Sequence, residues 1–161
     1  MLIEQKAATG QTLLLPIQQS FFEQDIAQRH HWNQALLLKA GQALDSQALE
    51  QALQALVIHH DALRLRFDCA EGQWTARYGS PEPQQGLLWQ ATVADAEALE
   101  ALCNDVQGSL DLQRGPLLRA LLATLADGSQ RVLLAIHHLV VDGVSWRVLL
   151  EDLQTAYHQL H

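Results

Sequence analysis

The hydrophobic pattern of this chain alternates between two periods. Short apolar or alternating segments predict strands, and longer segments with apolar residues every three or four positions predict helices. The strongest hairpin signal is Asp127-Gly128, which lies between two apolar runs. The resulting order, β-α-β-α-β-β-β-α-β-β-α, predicts an α/β fold of the α+β sandwich type, with a mixed sheet and helices packed against it. We expect strands at about 12–15, 32–39, 63–68, 74–78, 87–93, 117–125 and 130–136, and helices at about 17–25, 46–59, 95–110 and 145–158.

Composition indicates a globular protein. The 161 residues are enough for one domain with its own core, so we treat 1–161 as one unit. No apolar run is long enough to span a bilayer and no signal sequence is evident, which predicts a cytoplasmic protein without a membrane partner. The net charge of −8, with ten lysines and arginines that form no cluster, argues against a nucleic-acid partner.

Two cysteines and three histidine pairs are the candidates for metal or thiol chemistry. Cys69 and Cys103 lie far apart without a CxxC spacing, and we expect both to be buried free thiols. The pairs are His30-His31, His59-His60 and His137-His138. Neighbouring side chains of an extended segment point to opposite faces, so we expect no metal site. The first two pairs are expected on the surface or in loops.

The third pair lies where chemistry is most plausible. A strand expected to be buried, 132–136, leads directly into His137 and His138 and then into a turn that ends at Asp142-Gly143. One histidine can pack inward while the other faces a channel, where a neutral imidazole can accept a proton near pH 7. Gly143 predicts a backbone conformation that other residues resist. Asp142 could orient His138, or it could bind an arginine and brace the turn.

The run His137-His138-Leu139-Val140-Val141-Asp142-Gly143 matches the motif HHxxxDG and resembles the condensation-domain superfamily of nonribosomal peptide synthetases. Three other segments agree in the same order: LPIQ at 15–18 followed by FF at 21–22, HHDALR at 59–64 followed by Phe67, and the stretch 110–119. Two further segments resemble the epimerization subtype more than peptide-bond-forming members. They are HWNQ at 31–34, and DGVSW at 142–146 followed by LLEDL at 149–153.

The resemblance implies a lobe like chloramphenicol acetyltransferase, two of which form a V around a tunnel with the histidine motif at its floor. It implies that His138 exchanges the Cα proton of an aminoacyl or peptidyl thioester. That thioester is carried on the phosphopantetheine of a carrier protein, and no cofactor is bound directly. The amides that begin the last helix are candidate donors to the enolate oxygen. By the same resemblance His137, Asp142, Gly143 and Arg64 are structural, with Arg64 paired to Asp142, and Ser145 and Trp146 are candidates to line the site.

A complete domain of this family is much longer than this chain, and its second catalytic group belongs to a glutamate-containing motif of the C-terminal lobe. We therefore expect the N-terminal lobe alone, inactive by itself and prone to self-association. Its expected partners are a peptidyl carrier protein, the C-terminal lobe and other synthetase modules. Two alternatives stay open: a condensation domain that forms peptide bonds between carrier-bound substrates, and a non-catalytic module that only docks a carrier protein.

Overall fold

Seven strands and four helices follow one another in the order predicted from the hydrophobic pattern. The structure, a computed structural model, describes residues 6–161. Two single-turn 3-10 helices, Arg29–His31 and Asp61–Arg64, add to the predicted elements. The strands are β1 (Gly10–Thr12), β2 (Asn33–Lys39), β3 (Leu65–Ala70), β4 (Gln73–Tyr78), β5 (Leu88–Val93), β6 (Leu118–Leu125) and β7 (Gln130–His137), and the helices are α1 (Pro16–Glu23), α2 (Ser46–His59), α3 (Ala96–Gly108) and α4 (Gly143–Leu160).

The strands form two sheets, although one sheet was expected from the sequence. The larger sheet has the order β2-β7-β6-β5, in which β5 and β6 are parallel and the other neighbours are antiparallel. The smaller sheet, β1-β4-β3, is antiparallel. Its hairpin turns at Glu71 and Gly72, whose φ angles of 52° and 76° are the positive values that a type I′ turn requires. Strands of both sheets have similar local patterns, so the pattern alone does not reveal the division.

Strand β7 is buried on both faces, which explains its continuous apolar sequence. Leu133 and Ala135 belong to a smaller core beneath α3, whereas Val132, Leu134 and Ile136 belong to the main core. The main core also contains buried residues of α1, α2 and α4, so helices cover both faces of the larger sheet. The predicted α/β sandwich is therefore confirmed, and β7 runs through its interior between β2 and β6.

Aspartates determine where three of the helices begin. Asp45, Asp95 and Asp142 are the N-caps of α2, α3 and α4, and each side chain accepts a hydrogen bond from the backbone N–H three residues later. The cap of α2 was predicted. Helix α4 begins two residues earlier than predicted, at Gly143, because Asp142 rather than a later residue is its cap.

Surface positions correct one expectation. Cys103 is a buried thiol whose burial raises its pKa, but Cys69 is exposed near the end of β3, so the prediction that both are buried is wrong. Leu37 and Leu38 are apolar and exposed on β2, which is an edge strand of the larger sheet. Among residues 6–161, no helix combines the length and the apolar character needed to cross a membrane.

Candidate active site

The candidate site lies at the end of β7, where the backbone is held from both sides. The N–H of His137 donates to the carbonyl of Leu117 at 2.9 Å, just before β6. The N–H of His138 donates to the carbonyl of Trp32 at 2.8 Å, just before β2. Because consecutive amides are bonded to opposite neighbours, the strand cannot twist at this point without breaking one of the two bonds. Both histidine side chains therefore start from a fixed backbone.

The side chain of His137 is fully buried and hydrogen-bonded at both ring nitrogens. Its Nε2 lies 2.7 Å from the carbonyl oxygen of Arg29, which can only accept, so Nε2 carries the proton. Its Nδ1 accepts the N–H of Leu139 at 3.2 Å. The ring of Phe21 packs edge-on against it, with centroids 5.9 Å apart. Burial lowers the pKa of His137 to about 4, so the ring is neutral at pH 7.

His138 has the opposite environment, as expected from the sequence for one member of the pair. The residue is exposed, and its Nδ1 lies 3.0 Å from the carbonyl oxygen of Val141. A carbonyl oxygen only accepts, so the neutral ring carries its proton on Nδ1 and keeps a free lone pair on Nε2. The geometry thus holds an imidazole at a rigid position with its basic nitrogen available to a substrate.

Gln18 fastens α1 to the histidine turn, a role that was not predicted from the sequence. Its Nε2 donates to the carbonyl of Leu139 at 3.2 Å, and its Oε1 accepts the N–H of Leu15 at 2.9 Å. The side chain is buried although it is polar. A detectable signal existed, because Gln18 shares the i, i+3, i+4 face of α1 with Phe21 and Phe22. A glutamine on an apolar face needs hydrogen-bond partners in the interior.

Asp142 serves as a helix cap and has no ion-pair partner among residues 6–161. Its Oδ1 accepts the backbone N–H of Ser145 at 2.7 Å and the Ser145 hydroxyl at 2.8 Å. These hydrogen bonds lower the pKa of the Asp142 carboxyl below its usual value. The N–H of Ser145 is already engaged by this carboxylate, which removes one of the helix amides considered as donors to an enolate.

The pairing of Arg64 with Asp142 is a wrong prediction. Arg64 is fully buried, and its guanidinium donates to Asp61 Oδ1 at 2.5 Å and to the carbonyl of Ile58 at 2.7 Å. The Arg64 guanidinium also lowers the pKa of the Asp61 carboxyl. The two side chains are three residues apart on one 3-10 turn, so they lie side by side, whereas Asp142 is occupied by its own helix. Arg64 therefore braces the C-terminal end of α2.

Three other predicted site residues fall in different surroundings. Gly143 has no positive φ, and a Cβ added there would meet nothing within 4 Å, so its expected special backbone is not observed. Trp146 is buried in the main core and donates from Nε1 to Gln34 Oε1 at 2.8 Å. Ser145 and Asp142 border a cavity of about 260 Å³ whose lining also includes His60. His138 is not part of that lining.

One group of possible metal ligands occurs among residues 6–161. Ligand atoms of His59, His60 and Asp152 all lie within 4.8 Å of one another. His59 ends α2 and His60 is its C-cap, so this pair is not extended, and the two rings lie 5.0 Å apart, edge to face. His60 Nε2 is 2.7 Å from Asp152 Oδ2, a hydrogen bond that joins α2 to α4. His59 and the other early pair, His30-His31, lie at or near the surface, whereas His60 is half-buried.

A capping role for Asp142 makes a distinct prediction for its substitution. We expect Asp142→Ala to lower the free energy of unfolding by about 1 kcal/mol, because the Ser145 N–H loses its acceptor. Asp142→Asn should retain most of that stability, since asparagine caps helices equally well. Urea unfolding of both variants provides the measurement. A loss in the asparagine variant as large as in the alanine variant would contradict the cap and favour an ionic role.

The buried neutral His137 predicts that stability depends on pH. The folded pKa of about 4 lies below the usual 6.5, so the unfolded chain takes up the proton first as the pH falls. This contribution is complete above pH 6.5 and declines towards pH 4. We expect the free energy of unfolding to fall by about 2 kcal/mol between about pH 8 and pH 5 from this one group.

The variant His137→Gln can keep an N–H donor for Arg29 but does not titrate, so its stability should vary less over this range. His31→Gln is the matched control on an exposed histidine and should behave like the parent chain. Equal pH dependence in the parent and His137→Gln proteins, measured by urea unfolding at each pH, would contradict a buried neutral ring.

Comparison with known proteins agrees with this geometry. The family described as "Condensation domain" matches residues 8–161. One of the linear gramicidin synthase subunits of Brevibacillus parabrevis is 47% identical over 162 residues, which cover 97% of this chain and 3% of that protein. Surfactin synthase subunit 1 of Bacillus subtilis (strain 168) is 43% identical over 164 residues, covering 98% of this chain and 4% of that protein. The chain thus spans a small part of these relatives.

Solved structures extend the likeness to three dimensions. The epimerization domain from the third module of tyrocidine synthetase B superposes with a TM-score of 0.90 at 37% identity, covering 98% of this chain and 36% of that one. The starter condensation domain of the rhizomide synthetase superposes with a TM-score of 0.71 at 19% identity, covering 92% of this chain and 37% of that one, and shares the fold. With a family match over residues 8–161 and relatives above 40% identity along nearly its whole length, the chain belongs to the condensation-domain family of nonribosomal peptide synthetases.

Proposed function

We propose that this chain is the histidine-bearing lobe of an epimerization domain, which converts an L-aminoacyl or L-peptidyl thioester to the D form. The observation that carries the proposal is the fixed, exposed imidazole of His138 with its Nε2 lone pair free. The substrate would arrive as a thioester on the phosphopantetheine arm of a carrier protein, within a larger synthetase. The lobe itself would bind no cofactor.

The chemistry requires one base near the Cα–H bond. A thioester carbonyl acidifies that bond, and the Nε2 of His138 can remove the proton if it lies within hydrogen-bond reach. The ring then becomes an imidazolium whose Nδ1–H still donates to the Val141 carbonyl. The adjacent His137 stays neutral because it is buried, so it adds no repelling positive charge next to His138. Return of a proton to the opposite face of the planar enolate yields the D centre.

The residues that resemble the epimerization subtype contact one another in the structure. The carbonyl of Trp32 accepts the His138 N–H, and Gln34 accepts the indole N–H of Trp146. The two subtype segments, 31–34 and 142–146, are therefore joined through the histidine site. The higher TM-score to an epimerization domain than to the starter condensation domain also supports this subtype.

A complete catalytic cycle needs groups that residues 6–161 do not present beside His138. Asp142 is committed to its helix cap, and Arg64 is committed to Asp61. The chain spans 36% of the solved epimerization domain. We infer that a second lobe supplies the group that returns the proton and the donors to the enolate oxygen, and that this lobe alone is inactive.

The proposal predicts the effect of removing the base. In a chain extended by the second lobe, His138→Ala should slow exchange of the substrate Cα proton with deuterated solvent by about 10²–10⁴-fold, the usual contribution of a general base. His31→Ala, at an exposed histidine, is the matched control and should exchange at the parent rate. Mass spectrometry of the carrier-bound aminoacyl group measures the exchange, and an undiminished rate in His138→Ala would end the proposal.

Chiral analysis of the released product separates the alternatives. Epimerization yields a mixture of L and D amino acid from one carrier, whereas condensation yields a dipeptide between two carriers and no D product. Binding of the carrier without either product, in the extended chain, would instead indicate a docking module.

A further inference from the structure

A basic recess lies beside the smaller sheet, apart from the residues of the histidine turn. It has a volume of about 510 Å³ and is bordered by β3, β4, the loop that follows β4 and the loop that precedes β6. Its charged lining residues are Arg66, Arg77, Arg114 and Glu82, three positive charges against one negative charge. The whole chain has a net charge of −8, so the positive recess is not a consequence of overall composition.

Arg66 is the central feature of this recess. The residue is 5% exposed, and its guanidinium donates from Nη1 to the carbonyl of the preceding Leu65 at 2.8 Å. Among residues 6–161 no carboxylate lies within 4.0 Å of its nitrogens. A guanidinium is not deprotonated in a protein, and a buried cation without a counter-charge is costly. The residue therefore carries a charge that the described chain does not neutralise.

A second positive charge lies directly across the sheet. Arg66 of β3 is the register partner of Arg77 of β4, and like charges at opposite positions destabilise a strand pair. Burial lowers the pKa of Arg66, Arg77 lowers it further, and Asp111 opposes the shift. Arg77 forms an ion pair with Asp68 at 2.7 Å. Arg114 is exposed and has no ion pair within the part of the chain that the structure describes.

Two glycines give the Arg66 guanidinium its position. A Cβ added to Gly115 would clash with Arg66 Cζ and Nη2, and one added to Gly79 would lie 3.6 Å from Cζ. Gly115 also has φ of +75°, a conformation that other residues rarely adopt. The guanidinium thus packs against backbone that bears no side chain, which fixes the fork of donors before any ligand arrives.

We propose that this recess binds the phosphate group of a small phosphomonoester ligand. The three arginines and one glutamate leave a net charge of +2, which matches the charge of a phosphomonoester at pH 7. A rigid guanidinium presents paired N–H donors to two phosphate oxygens, and Arg77 and Arg114 can contact the remaining face. The ligand supplies the counter-charge that Arg66 lacks. This site is independent of the proposed proton transfer at His138.

Titration with inorganic phosphate tests the site on this chain without an affinity tag. At constant ionic strength we expect saturable binding by calorimetry and a rise in melting temperature with phosphate. Arg66→Met should weaken binding at least 10-fold, Arg114→Met should weaken it several-fold, and Glu82→Gln should strengthen it. Arg147→Met, which removes an exposed arginine on α4, is the matched control and should bind like the parent chain.

Stability in chloride buffer provides the second readout. An unpaired buried cation predicts that Arg66→Met is at least as stable as the parent chain without phosphate, and that phosphate reverses the order. Equal stabilisation of the parent, Arg66→Met and Arg114→Met proteins by phosphate would overturn the proposal. Acetate binding as tight as phosphate binding would also overturn it. If Arg66→Met does not fold, Arg66 is a structural residue and the proposal fails unless Arg114→Met still weakens binding.

Discussion

The candidate site depends on the hydrogen bonds that fix the last residue of β7 and the residue after it. His137 and His138 have their amides tied to carbonyls on opposite sides, Leu117 and Trp32. Given this anchoring, the alternation of side chains along a strand sends one ring inward and leaves the other outside. The inward ring fills its two hydrogen-bonding positions with Arg29 and Leu139 and stays neutral. The outer ring keeps one nitrogen for chemistry.

Local features of this molecule were predictable from sequence. The order of elements, the hairpin at Asp127-Gly128 and the divergence of His137 and His138 follow from periodicity and adjacency, which a single segment already contains. Partners distant along the chain were not predictable. Asp142 was expected to bind Arg64, but each found a partner three residues away on its own turn, Ser145 and Asp61. The division into two sheets depends on which strands pair, and that is a property of the whole chain.

Arg64 and Arg66 show how differently one fold can treat the same side chain. Both are buried, two residues apart at the junction of a 3-10 turn with β3. The Arg64 guanidinium bonds to a carboxylate and to carbonyls at the end of α2, so its charge is satisfied within the chain. The Arg66 guanidinium has one carbonyl and faces Arg77. The first arginine is part of the scaffold, and the second has the character of a binding group.

The central claim is that the chain presents His138 as a base with a free Nε2. Long-range ¹H–¹⁵N NMR of the labelled chain, at a pH where both rings are neutral, reports the tautomer of each histidine directly. The structure predicts a proton on Nδ1 of His138 and on Nε2 of His137. A proton on Nε2 of His138 would mean that its basic nitrogen is turned towards Val141, and the proposed proton transfer would lose its base.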